Sequence, residues 1–302
     1  MRKALLVFLL MVCVDAQASK SAFFQQLMAA ELQLGGGSAP WTPADLGTNL
    51  VVWLDASDAS TITLNGSNVT QWDDKSGNGW DMSQSTSSAQ PLLVTDALNG
   101  KPVIQTDGGD RLDNTTSSLF RNVGTATWVA VAKHPVATGQ GNAALLMCSR
   151  GDANNSTRFM LTANPSPGGA FMGVAGRRLD IDGFQAIASS TARIVDTWFI
   201  EIGQADYTNA QANHWTNGAQ DLTASTFQTA GNTSDTDPES VNVFGSTNLL
   251  APAGTEIAEG IAIEGPLSTE DRQKLEGYLA WKWGLESNLP VDHPYKLAPP
   301  TV

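Results

Sequence analysis

An all-β fold of the sandwich class, with a helical extension at its N-terminus and one helix near its C-terminus, is what this sequence predicts. From residue 50 onward, apolar or alternating runs of four to ten residues are separated by clusters of Gly, Asn, Asp and Pro, the spacing of short strands joined by tight turns. Of 302 residues, 41% are hydrophobic and 16% charged, too apolar for disorder and compatible with one large β domain. No long internal repeat is present, which disfavours propellers and solenoids.

The N-terminal segment reads in two ways. Arg2 and Lys3, the apolar stretch from Ala4 to Val14, and then Ala16, Gln17 and Ala18 have the order of a secretory signal cleaved after Ala18; the alternative is that the segment is retained. Next, Phe23, Phe24, Leu27, Met28 and Leu32 recur near the 3.6-residue period of one helical face. Ser21 is placed to cap this helix, and Gly35 to Ser38 to end it. Such a helix either packs on its own sandwich or serves as an attachment or oligomerisation peg. The division predicted is an apolar, helical segment at 1–37, a linker at 38–48 stiffened by Pro40 and Pro43, and the sandwich at 49–298.

Strands are predicted at Leu50–Leu54, Val69–Trp72, Val103–Thr106, Thr125–Lys133, Ala143–Ser149, Arg158–Thr162, Ala170–Val174, Thr197–Gly203, Asn213–Thr216, Val241–Phe244 and Ile257–Ile263. In Trp128–Ala132 and Trp198–Ile202 apolar residues occupy both parities, as in strands covered on both faces. Asn65-Gly66, Asn99-Gly100 and Asn217-Gly218, with the loop Asp74–Gly79, supply residues that tolerate the positive φ of tight turns.

A helix is predicted at 268–285. Ser268 with Asp271 three residues on is a start signal and Gly284 a stop, with Leu275, Tyr278, Leu279 and Lys282 on one face and Trp281 and Trp283 to its flanks. This helix is expected to close an edge or mouth of the sandwich, and the tail from Leu289 to Tyr295, with two prolines, to run as an extended strap.

Composition narrows the function. A net charge of −13 with only 17 Lys and Arg, and a pI near 4.5, argue against nucleic-acid binding, which needs clustered cations. Cys13 and Cys148 give no disulfide framework, and no apolar run is long enough to span a membrane. Nine Trp suggest buried anchors, with one or two exposed as binding platforms.

Three stretches carry a family resemblance: Trp53 to Asp58 followed by Gln71 to Gly79; Leu98 to Ile104; and Ile257 to Ile263 leading through Leu267 to Arg272 and Glu276 to Gly284, with His293 to Tyr295. Together, over about residues 45–298, they resemble the concanavalin A-like/laminin G-like domains of bacteriophage virion proteins and bacterial surface proteins. The resemblance implies a jelly-roll sandwich in a tail, fibre or capsid-surface protein, whose partners are other virion subunits or host-surface glycans, with a homo-oligomer possible. A secreted bacterial glycan-binding or adhesion protein is the main alternative, and a glucanase-like glycoside hydrolase the third. Members of the superfamily often bind carbohydrate, and some bind calcium at a loop edge.

The residues themselves favour binding over catalysis. Retaining glycosidases need two carboxylates about 5 Å apart. Glu201 is alone in its strand, and Glu256 and Glu259, three apart, point to opposite faces of a regular strand. His134, His214 and His293 are isolated, and no Gly-x-Ser-x-Gly elbow occurs. The chain is therefore expected not to be an enzyme. For calcium, Asp107, Asp110 and Asp113 are the candidate oxygen ligands, with Asp180 and Asp182 behind them; the alternative for each is a turn residue. Ser234 to Asp237 reads as a solvated loop, and Arg150-Gly151-Asp152 as a chance triplet.

Overall fold

A computed structural model describes residues 38–135, 143–149, 157–163, 171–246 and 249–302. The helix expected within 20–34, the signal-like segment, Cys13 and the Arg150-Gly151-Asp152 triplet lie outside the described residues. In chain order the strands are β1 Leu50–Asp55, β2 Ile62–Asn65, β3 Asn68–Trp72, β4 Met82–Ser83, β5 Leu92–Leu98, β6 Lys101–Gln105, β7 Leu112–Asn114, β8 Thr125–Lys133 and β9 Ala143–Ser149. They continue with β10 Thr157–Ala163, β11 Phe171–Gly176, β12 Gln185–Ala192, β13 Trp198–Asp206, β14 Gln211–Thr216, β15 Ala219–Thr226, β16 Ser240–Val243 and β17 Glu256–Glu264, before helix α1 at Thr269–Trp283.

Every pairing is antiparallel. The front layer runs β1-β17-β8-β13-β14-β15, and the back layer β3-β4-β7-β16-β9-β10-β11-β12. On one side β6 pairs with the start of β17 and forms a hairpin with β5, which touches β3 at Leu92↔Asn68. Hydrogen bonding therefore passes from one layer into the other, and the sandwich is nearly barrel-shaped there. On the far side β12 and β15 lie against each other without pairing.

Alternation on the central strands builds two apolar layers. From β8, Ala126, Trp128, Ala130 and Ala132 face the inter-sheet core with Phe159, Leu161, Val174 and Val243. Val129 and Val131, of opposite parity, face outward with Ile200, Ile202, Ile261 and Ile263. The sheets close tightly at Gly203, where an added Cβ would lie 2.7 Å from Val174 Cγ1, so any larger residue would force them apart.

Helix α1 covers that outward apolar face. Leu275, Leu279, Ala280 and Trp283 pack on the six Val and Ile side chains, so the helix sits on the face of the front sheet and not at an edge or mouth. The reason is that these strands are apolar on both parities and need a second cover. Trp283, expected at a flank, is fully buried. The helix ends match the sequence signals: Ser268 Oγ accepts from Asp271 N at 3.0 Å, and Gly284 adopts φ 71° as the left-handed cap.

The stretch expected as a linker is packed. Trp41 is buried in the layer under α1, Pro43–Asn49 form 3-10 turns behind a Thr42–Asp45 capping box, and Pro40 bridges Thr301. All eleven expected strands are present. Among the described residues six further strands, β2, β4, β5, β7, β12 and β15, are short or largely half-buried to exposed.

Candidate functional site

The loop after β3 is architecture. Asp74 Oδ1 accepts from Trp53 N and Ser76 N, each at 2.9 Å, and its Oδ2 accepts from Ser76 Oγ at 2.7 Å and Trp80 N at 3.2 Å. Asn78 Nδ2 donates to Val51 O at 3.0 Å. One carboxylate thereby ties the loop to β1.

The three aspartates expected as a calcium set are not brought together. Asp107 and Asp110 share a turn after β6, where Asp110 Oδ2 accepts from Asp107 N at 2.7 Å and Asp107 Oδ1 from Gly109 N at 2.8 Å. Asp113 lies on β7, its carboxylate held by Arg111 Nε at 2.8 Å and by Asn242 Nδ2. Among the described residues no three His, Cys, Asp or Glu side chains are arranged to hold a metal. The reserve pair is occupied too: Asp180 takes Arg158 and Thr236, and Asp182 takes Leu179 N. Asp235 and Asp237 pair with Arg121 at the surface.

What the β3–β7 region does offer is two clefts, one on either side of the segment from Ser85 to Ser87. The larger, about 420 Å³, is lined by Asp81, Ser83, Gln84, Asp113, Asn114 and Thr116, among others. Its floor is braced by a hydrogen-bonded row across the back layer: Asn242 Nδ2 donates to Asp113, Ser240 Oγ to Asn242 Oδ1 at 3.1 Å, and Ser240 Oγ meets Ser149 Oγ at 3.1 Å. Asn114 fixes the wall, its Nδ2 donating to Asp81 O and its Oδ1 accepting from Thr116 N and Ser117 N, each at 2.9 Å. The smaller cleft, about 210 Å³, is lined by Asn68, Gln90, Leu92, Asp107 and Asp110 with neighbouring residues. Both present fixed donors and acceptors, the chemistry that recognises a polyhydroxylated ligand.

Domain 4 of AbnA, a GH43 extracellular arabinanase from Geobacillus stearothermophilus solved with arabinotriose, superposes at TM-score 0.53 and 10% identity, over 76% of this chain and 98% of that one. The binding domain of Paraclostridial Mosquitocidal Protein 1 gives 0.52 at 12% identity, covering 78% of this chain and 53% of that one. The botulinum neurotoxin serotype G binding domain gives 0.52 at 12% identity, covering 76% and 50%. This chain shares their β-sandwich fold. It spans about half the length of the two toxin domains, and no family model and no curated protein matches it.

Three glutamates on the central strands, Glu201, Glu256 and Glu259, are buried against cations. A bulge between Ile257 and Glu259 sets Glu256 opposite Lys133 and Glu259 opposite Val131, returning both glutamates to one face, where a regular strand would have opposed them. Glu256 pairs with Lys133 at 2.9 Å. Glu259, 1% exposed, receives Trp53 Nε1, Trp283 Nε1, Lys282 Nζ and Tyr278 OH. Burial raises its pKa even against the Lys282 charge. Glu201 is not alone either: Arg193 joins it to Asp221, and His214 Nδ1 lies 2.8 Å from Asp221 Oδ1. Burial pushes the Asp221 carboxyl up, but the His214 hydrogen bond and charge, with Arg193, more than offset it and hold it low. His293 bonds Glu276 at 3.0 Å. These partners converge from distant strands, which spacing along the chain does not reveal; the cleft residues had a weak signal in the Ser, Thr, Gln and Asn density of 83–90 and 113–117.

Proposed function

We propose that this chain is a non-enzymatic attachment protein whose concanavalin A-like sandwich binds a glycan in the larger cleft, with Ser83, Gln84, Asp113, Asn114 and Thr116 as its contacts. The single observation carrying the reading is the cleft itself, polar, open and internally braced. The arabinanase domain solved with arabinotriose and the two toxins' binding domains support it at the level of fold. Binding without turnover is favoured because Glu201, Glu256 and Glu259 are buried against Arg193, Lys133 and Lys282 and the two carboxylates of the cleft are engaged by the protein, Asp81 by Asp74 N and Asp113 by Arg111 and Asn242, whereas glycoside hydrolysis needs a carboxyl pair free to face the substrate. No helix among the described residues is long and apolar enough to cross a membrane.

We place the protein at a virion surface, among other virion subunits and against host glycans, on the sequence resemblance. The test is an array of immobilised glycans probed with the full chain and with Ser83→Trp, which fills the cleft from an exposed position. Saturable binding lost in the variant, with no released sugar, is expected. Binding unchanged by the variant overturns the cleft assignment, and released sugar overturns the non-enzymatic one. Finding the chain with its N-terminus intact in purified particles tests the location; a mature form starting after Ala18 in culture medium instead supports the secreted adhesion protein.

A further inference from the structure

The smaller cleft differs from the larger in what it lacks. Gln90, only 6% exposed, donates its Nε2 to Gln84 O at 2.8 Å. This bond fixes the amide, since the reverse orientation would set oxygen against oxygen. Gln90 lines the cleft, and its Oε1 is buried with no hydrogen-bond partner, a costly arrangement unless a donor arrives. Asp107 and Asp110 stand at the same cleft. Each has one oxygen committed to a backbone N–H of the turn, and no cation is paired with either among the described residues. Burial, and then the nearby Asp107 charge, push the Asp110 carboxyl up, so the pair is held together at an electrostatic cost that a bound cation would relieve.

The size and remaining walls choose among cations. At about 210 Å³ the space equals roughly seven waters at liquid density, enough for one sugar ring and far more than a bare ion fills. Asn68, Ser87 and Ser88 line the walls, and Leu92, 38% exposed, offers an apolar patch to the C–H face of a ring. From this geometry we infer that the smaller cleft is a subsite for an amino sugar with a free ammonium group, which Asp107, Asp110 and the Gln90 carbonyl receive while the ring lies on Leu92. The inference rests on the glycan-binding reading and specifies its ligand class.

The experiment is titration calorimetry of the full chain with a glucosamine tetramer and an N-acetylglucosamine tetramer at about pH 6, where such amines are protonated. Binding of the free-amine tetramer at least about tenfold tighter is expected. Asp110→Asn and Gln90→Leu, each checked for an unchanged melting temperature, and Asp107→Asn as the fallback should either misfold, are expected to bring the ratio below about threefold. Equal affinity for the two tetramers overturns the inference, as does equally tight binding of tetralysine, or calcium ion alone binding through Asp107 and Asp110 and displacing the sugar. If neutral glycans bind and are blocked by Ser83→Trp while the two tetramers are not distinguished, the larger cleft stands and only this subsite falls.

Discussion

Trp53 on β1 and Glu259 on β17 are joined by a 2.7 Å hydrogen bond from the indole Nε1 to the carboxylate. The other carboxylate oxygen receives Trp283 Nε1 at 2.6 Å and Lys282 Nζ at 2.8 Å from α1, and Lys282 also pairs with Asp55 at 2.7 Å. The helix is thus docked by a buried ionic group as well as by apolar packing. Removing one partner of such a group strands the other charge: Lys282→Met is expected to cost about 3–5 kcal/mol in urea unfolding, and a double change with Glu259→Leu to recover part of that.

The two tryptophans of the β1 and β3 stretches are structural. Trp72 is fully buried in the inter-sheet core and Trp53 lies in the layer under α1. Replacing Trp72 with Ala is expected to cost about 3–5 kcal/mol. Trp53→Phe should cost less but still register, because Glu259 loses a donor. The check is a melting curve beside a glycan-binding titration, with stability changed and affinity per folded molecule unchanged.

At Gly277 alanine is expected to destabilise, against its usual advantage of about 1 kcal/mol inside a helix. The C-terminal strap crosses the helix there, and an added Cβ would stand 2.5 Å from Tyr295 Cβ. The strap is fixed on either side by Trp281 Nε1 donating to Tyr295 O at 2.9 Å and by His293 to Glu276. Gly277→Ala is therefore expected to lower stability by about 1–3 kcal/mol by chemical denaturation.

His134 should report on acid stability. Burial, reinforced by the Arg193 charge, lowers its pKa to about 4 from 6.5. The unfolded chain takes up this proton first, so the stabilising contribution is complete above pH 6.5 and declines as pH falls toward about 4. Nuclear magnetic resonance titration of the ring is expected to show no midpoint near 6.5, and His134→Gln to flatten the stability slope over that interval.

Deleting residues 266–302 uncovers Val129, Val131, Ile200, Ile202, Ile261 and Ile263 together. A contiguous apolar face of this kind drives association. The truncated chain is expected to be insoluble or self-associated in sedimentation, where loss of an edge cover alone would leave a soluble monomer.

Much of this architecture was legible in the sequence because burial writes itself into alternation. Thr125–Lys133 and Ala143–Ser149 are strands at the residues expected, and Ser268 and Gly284 bound the helix through local hydrogen bonds and a positive φ. β5, β12 and β15 escaped because their side chains are mostly half-buried or exposed and carry no apolar period. The spacing of Leu275 and Leu279 marks the buried face of the helix, yet its docking surface depends on which strands lie side by side. The aspartates show the same limit: Asp107 and Asp110 meet through a local turn, while Asp113 is claimed by Asn242 from a strand 129 residues away.

Trp41 N donates to Pro300 O at 3.1 Å and Val302 N to Ala39 O at 3.0 Å around the Pro40–Thr301 bridge. The first and last described residues consequently leave the domain side by side. A pull applied to both would open this antiparallel bridge one bond at a time and would not load the two sheets in shear, so the sandwich is mechanically suspended from a single corner. The same closeness allows a short peptide to join these ends and new termini to be opened at another surface loop without cutting the core.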